Sequence, residues 1–259
     1  MEIGIIYFLI IVISNTIGAV SGIGGGIIIR PIFDAIGYHN VISISFFSSV
    51  AVLVMAIVSS TKKIRDGITI NKELVTLTAI GSIFGGIIGN LFLESLLVRA
   101  SNEDTILAIQ ISIAITTLSI SLLYTIMKWQ SLEMADKAMY LLVGCATGCI
   151  ASILGLGGGP LNVVAFMFFF GLSIKDAAIY SLLNIFFSQM ARVITIGLTT
   201  GYQIFDLNIL MFIIPAAIIG GLVGARLSNV FSEKKVTVIY QLMLFGVIGL
   251  NVVNLIRLI

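Results

Sequence analysis

The chain is 259 residues long, 59% hydrophobic and 10% charged, with a formal net charge of +2 and a mean hydropathy of +1.17. A soluble domain is roughly half apolar and about a quarter charged, so this composition supplies too few charges to cover a water-facing surface and excludes a soluble enzyme. It also holds no basic tract long enough for nucleic acid, and one histidine with two cysteines gives no ligand set for a dedicated zinc or haem site.

Apolar runs fall at residues 3–20, 41–60, 74–98, 105–127, 138–154, 177–198, 207–225 and 236–256. A bilayer crossing needs roughly 20 apolar residues. In lipid such runs are expected as helices, which satisfy their own backbone groups. Barrel strands would alternate over about ten residues, and these runs are continuously apolar. The chain is therefore expected to be an all-α polytopic membrane protein with eight crossings and no soluble domain, its main surroundings being the lipid bilayer. The run from Ile3 to Val20 has the length of a signal peptide. Glu2 is acidic and no small-x-small site precedes Gly22, so it is expected to be retained in a prokaryotic cytoplasmic membrane. Cys145 and Cys149 share one helix face and read as packing residues. Trp129 beside Lys128 reads as an interfacial anchor.

Two glycine-rich breaks interrupt this pattern, Ser21–Gly26 (SGIGGG) and Gly155–Gly159 (GLGGG). Each is followed by a stretch too short to cross easily, 27–37 and 161–171, ending at Gly37 or Gly171. The breaks belong to an internal repeat. Gly24–Gly26 match Gly157–Gly159 at an offset of 133, Gly37 matches Gly171 at 134, and Ser45 matches Ser181 in a similar context. Gly85, Gly86 and Gly89 match Gly220, Gly221 and Gly224 at 135. These give two homologous halves, residues 1–130 and 131–259.

Charge decides how the halves are oriented. With an even number of passes per half they are parallel, and Lys and Arg divide 8 to 6 between the two sides. With an odd number they are inverted. Lys62, Lys63, Arg65, Lys72, Lys128, Lys137, Lys175, Arg226, Lys234 and Lys235 then share one side. Arg99, Arg192 and Arg257 take the other, a split of 10 to 3 with Arg30 inside the first motif. The second pattern obeys the positive-inside rule, so inverted repeats with broken or re-entrant glycine segments are expected. Secondary transporters commonly use this design, with the substrate held at the repeat interface.

The glycine motifs are neither a Walker loop nor a dinucleotide fingerprint, since no Gly-Lys-Ser/Thr and no βαβ frame accompanies them. Two uses compete. Consecutive glycines at a helix start expose N–H groups that favour an anion, or they let helices pack closely. For the later GGxxG blocks at 85–89 and 220–224, packing is the expected use. The candidate substrate-binding residues are Gly24, Gly25, Gly26, Arg30 and Ser45 in the first half. In the second they are Gly157, Gly158, Gly159, Asn162, Ser181, Asn184 and Gln189. Arg30 either neutralises an anion, pairs with Asp34 one turn on, or snorkels to the interface. Pro160 fits the first turn of a helix, and Asn162 can donate to a ligand. Asn184 and Ser188 lie on one face, with Ser45, Ser48 and Ser49 as first-half counterparts, and serve either as ligand donors or as helix glue. His39 and Arg192 read as loop or interfacial residues. No nucleophile–base–orienter set appears, so neither an enzyme nor a cofactor is expected.

These motifs resemble the sulfite exporter TauE/SafE family, whose members have two related halves, each opening on a glycine-rich segment. The resemblance rests on Gly22, Gly24, Gly25, Gly26, Pro31, Gly37 and Ser45 in the first half. In the second it rests on Gly155, Gly157, Gly158, Gly159, Gly171 and Ser181. The second half departs from the first in having Val164 in place of Pro31, and Pro160 directly after the glycines. The resemblance implies transport of a small sulfur-containing anion, inorganic or organosulfur, such as sulfite, thiosulfate or a sulfonate. An anion channel and a non-transporting scaffold subunit are the alternatives, and a homo-oligomer is compatible with any of them.

Overall fold

Ten α-helices and one short 3-10 turn make up the regular structure of this computed structural model, which describes the backbone of residues 2–99, 103–127, 129–154, 158–199 and 201–258. No strand occurs among the described residues. The helices are α1 (Glu2–Ser21), α2 (Gly26–Ile36), α3 (Val41–Arg65), α4 (Lys72–Arg99), α5 (Glu103–Met127), α6 (Lys137–Leu154), α7 (Gly159–Phe170), α8 (Ile174–Thr199), α9 (Leu210–Val230) and α10 (Glu233–Leu258). The order of one long helix, one short helix and three long helices is met twice. Among the described residues, seven helices are long and apolar enough to cross a bilayer. The expected eighth, α6, falls short because its described length stops at Leu154, where the glycine-rich segment begins.

Several helices extend past the apolar runs into their charged flanks. Apolar residues ending at 60 read as the end of a crossing, yet α3 continues through Lys62, Lys63 and Arg65. Those cations fill its last turn, where they meet the negative end of the helix dipole. Asn40 caps the start of α3 by accepting from the Ser43 amide at 2.8 Å.

Glycines set how closely the helices approach. A Cβ on Gly81, Gly85 or Gly89 of α4 would overlap the carbonyl oxygens of Leu141, Cys145 and Cys149 on α6. Gly144 and Gly148 of α6 meet Thr78 and Ser82 of α4 in return. On the other flank, a Cβ on Gly220 would lie 2.9 Å from the Val12 oxygen, and one on Gly224 2.5 Å from the Thr16 oxygen. The GGxxG blocks are thus packing surfaces, as their spacing suggests, and the two free cysteines lie along one of them.

The same contacts give the helix directions. Gly4 meets Phe212 and Gly224 meets Thr16, so α1 and α9 run the same way. Phe46 stacks on Phe205 at 4.2 Å, and Asn229 donates to Asp66 at 2.6 Å, so α3 runs with them. The α4–α6 contacts ascend together. Tyr180 accepts from the Asn71 amide at 2.8 Å, and Thr78 donates to Asn184 at 3.2 Å, so α8 runs with α4 and α6. Between the two sets, Arg192 meets Ser45, while Ile185 and Val52 both flank Gly24, so α3 and α8 are antiparallel.

Two apolar cores result. One gathers Tyr7, Ile11, Phe33, Phe47, Met55 and Ile213, and the other Val163, Phe166, Leu118, Tyr240 and Leu244. Large apolar side chains such as Leu9, Ile13, Leu242 and Phe245 stay exposed on the outside. So much exposed apolar surface would aggregate in water and suits contact with lipid tails.

Candidate functional site

The first break is a reversal of direction. Gly22 and Gly24 take φ of 76° and 84°, the left-handed region that glycine enters without steric cost. Gly24 N–H donates to the Gly18 oxygen at 3.3 Å, and α2 begins behind the N-cap Gly25. The helix then doubles back along α1. Phe33 stacks on Tyr7 with centroids 3.7 Å apart, and the Tyr7 hydroxyl lies 2.9 Å from His39 Nδ1. With 11 residues, α2 is roughly 16 Å long, about half the thickness of a bilayer core.

The second break repeats this course. Gly158, the N-cap of α7, has φ of 74°, and Pro160 sits in the first turn, where its missing N–H costs nothing. The far end of α7 returns to the segment ahead of α6. Leu132 and Met134 amides donate to the Phe168 and Phe169 oxygens, both at 2.8 Å.

The two breaks touch. A Cβ on Gly159 would overlap the Ile23 carbonyl oxygen, and one on Gly22 would overlap Ala178 of α8. Ser181 ties the junction together, its hydroxyl lying 2.7 Å from the Gly22 oxygen and 3.2 Å from the Gly159 oxygen. Buried amides surround it. Asn15 is fully buried beside Gly25 and donates to the Ala51 oxygen at 3.1 Å, while its Oδ1 has no partner. Asn162, beside Gly158, has an unpartnered Oδ1. Asn184 accepts from Thr78, and its Nδ2 has no partner. Buried polar atoms are ordinarily satisfied. Unpartnered amide atoms of both polarities beside the buried starts of α2 and α7 form an arrangement suited to a small polar ligand.

The structure brings together most of the expected residues. Gly25, Gly158, Gly159, Asn162, Ser181 and Asn184 line or border the junction. Gly24 lies between Ile185 and Val52, and Gly26 beside Val52 and Ser48. Gly157 and Gly155 lie outside the described residues. Gln189 is buried on α8, about two turns beyond Ser181. Arg30 is half-buried on α2, in electrostatic reach of both Asp34 and Arg192. Arg192 is more than an interfacial residue, because it donates to Ser45 Oγ at 2.5 Å and so joins α8 to α3.

Ser45 is not at the junction, and its match to Ser181 does not hold in space. The N-caps Gly25 and Gly158 and the helix starts Val41 and Ile174 are each 133 apart, which makes Ser48 the counterpart of Ser181. Ser48 Oγ lies 3.3 Å from a Cβ placed on Gly26. Matching letters slipped the register by three residues, nearly one helical turn. Sequence reasoning misses Asn15, which lies between Ser14 and Thr16, and Thr78, two residues after Thr76, because neither belongs to a glycine break or its repeat. The available signal was the cost of burying an amide in lipid.

Comparison with known proteins agrees with this architecture. Residues 7–252 match the family described as Sulfite exporter TauE/SafE. Over 240 residues, the chain is 22% identical to a protein of Bacillus subtilis (strain 168) named "Probable membrane transporter protein YjnA", covering 87% of this chain and 91% of that protein. Family and fold together make this a multi-pass cell-membrane protein of a transporter family.

Proposed function

The chain belongs to the sulfite exporter TauE/SafE family, and from that premise we propose that it is a secondary transporter of a small sulfur-containing anion, driven by an ion or proton gradient. The observation that carries this reading is the junction of the two breaks, where Ser181 bonds Gly22 of one half and Gly159 of the other. Helix starts carry unsatisfied N–H groups and the positive end of the helix dipole, and here two of them, α2 and α7, begin beside buried amides. An oxyanion is the ligand class that such a site favours.

In this reading residues 1–130 and 131–259 are inverted repeats. Support comes from α1, α3 and α9 running against α4, α6 and α8, which sets α1, α3 and α4 opposite to their second-half counterparts α6, α8 and α9. The end of α3 with Lys62, Lys63 and Arg65, Arg226 near the end of α9, and Lys72, Lys137 and Lys175 at the starts of α4, α6 and α8 then form the cytoplasmic face. Lys137 pairs with Glu73 there, and Lys175 donates to the Phe231 oxygen at 3.0 Å. Rocking one repeat against the other would open the junction to each side in turn.

The test is flux in proteoliposomes against sulfite, thiosulfate, sulfoacetate, taurine, sulfate and acetate, with and without a proton gradient. Saturable movement of one sulfur anion, accumulated when a gradient is imposed, is expected. Movement that is fast, non-saturable and never concentrative would replace the transporter reading with a channel. No movement of any of the six by folded protein would remove the sulfur-anion assignment.

A further inference from the structure

One face of α3 leads away from the glycine junction toward the lysine-rich end of the bundle. Ser48 and Val52 lie at its upper part, against Gly26 and Gly24. Met55, Ser59 and Lys63 follow at intervals of three and four residues, so they continue the same face. From Ser48 to Lys63 is roughly 22 Å along the helix.

Lys63 is fully buried. Its Nζ donates to the Ala19 oxygen at 3.1 Å, in the last turn of α1, just before the break. That carbonyl belongs to the negative end of a helix dipole and offsets about half a charge. Among the described residues Lys63 joins no ion pair. The nearest acidic group on its own helix end, Asp66, is held by Lys62 and by Asn229. The other charge within electrostatic reach is Lys175, which is of like sign. A buried ammonium needs compensation, because removing it from water is costly, and here it receives one neutral oxygen for three N–H donors.

One turn up the same face, Ser59 is fully buried and its hydroxyl oxygen has no partner. A buried cation and a buried, unpartnered hydroxyl at i and i+4 share one helix face and place several donors beside one incompletely compensated charge. A structural cap for α1 would need only the Lys63–Ala19 bond and would leave Ser59 unexplained.

We propose that Lys63 and Ser59 form an anion subsite on the cytoplasmic side of the glycine junction, where a small oxyanion is held between the junction and the cytoplasm. This rests on the transporter reading above. The ammonium supplies the countercharge and the Ser59 hydroxyl a directed donor. The bond to Ala19 holds the lysine against the end of α1, so movement of that helix end would move the charge with it.

The test compares thiosulfate counterflow in proteoliposomes for the wild type, Lys63→Arg, Lys63→Gln and Ser59→Ala, with thermal unfolding in detergent to establish folding. Lys63→Gln is expected to raise KM for thiosulfate at least about tenfold, Lys63→Arg to stay within about threefold, and Ser59→Ala to raise KM severalfold with Tm unchanged. A folded Lys63→Gln with wild-type KM would overturn the subsite while leaving the transporter reading intact. A wild type that moves no anion would overturn both. Because Lys63→Gln can fail to fold, Ser59→Ala gives an independent answer. A folded Ser59→Ala with wild-type KM for thiosulfate would likewise overturn the assignment.

Discussion

The two short helices have the same backbone course and different chemistry. Each starts behind a glycine N-cap, ends at a left-handed glycine and doubles back along its preceding segment. Yet α2 carries Arg30 and Asp34 and leaves much of its surface exposed, whereas α7 is uncharged and buried over most of its length, with Asn162 as its polar residue. The proline position differs with them. Pro31 lies inside α2, and Pro160 starts α7. The two share the reversal that glycine permits and differ in the side chains placed on it. The first short helix carries its charges at Arg30 and Asp34, and the second is uncharged and makes the close backbone contact between Gly159 and Ile23.

The largest expected effect tests that difference at equivalent glycines. A Cβ on Gly159 overlaps the Ile23 backbone, which has no side chain to swing aside, while one on Gly26 meets only Val52 Cγ2 at 3.1 Å and Ser48 Oγ at 3.3 Å. Gly159→Ala should cost about 3 kcal/mol or more and lower Tm by roughly 6–12 °C. Gly26→Ala should stay within about 1 kcal/mol. Thermal unfolding of both variants in one detergent checks this, and equal losses would break the proposed asymmetry.

The smallest effect is at the far end of α2. Burial holds the His39 imidazole below its usual range, against the opposing pull of Asp206. The folded state therefore binds its proton less readily than the unfolded chain does. Stability contributed by neutral His39 is present above the unfolded value of about 6.5 and declines as pH falls through and below it. The Tyr7 hydroxyl and His39 Nδ1 lie 2.9 Å apart, a contact that fixes the return of α2 against α1. Tm should fall slightly between pH 7.5 and 5.5, and His39→Asn should flatten that slope. An unchanged slope would mean that the Tyr7 contact does not depend on the protonation state of His39.

Much of this fold was readable because lipid imposes long apolar helices, and each of the ten helices overlaps a stretch visible in the composition pattern. The GGxxG packing surfaces and the paired glycine breaks were readable for a related reason, since repetition marks a backbone constraint. Side-chain register was harder. Ser45 and Ser181 share similar neighbours in sequence, yet one residue more in α7 and one fewer in the following loop put Ser48 at the equivalent place. Lys63 was hidden differently. Among Lys62 and Arg65 it looks like one of several loop charges, and only the extension of α3 to Arg65 turns it inward. Asn15 gave no pattern at all, because a lone amide in an apolar helix has no periodicity.

The central claim is that both breaks together receive one anion, and thiosulfate binding to purified protein tests it most directly. Calorimetry on the wild type, Arg30→Gln and Asn162→Ala, each shown to be folded and each measured at two salt concentrations, separates the contributions. Each substitution should weaken binding about tenfold, or roughly 1.4 kcal/mol. The salt dependence should shrink for Arg30→Gln, which removes a charge, and persist for Asn162→Ala, which does not. Wild-type affinity in both variants would contradict a site shared between the two halves.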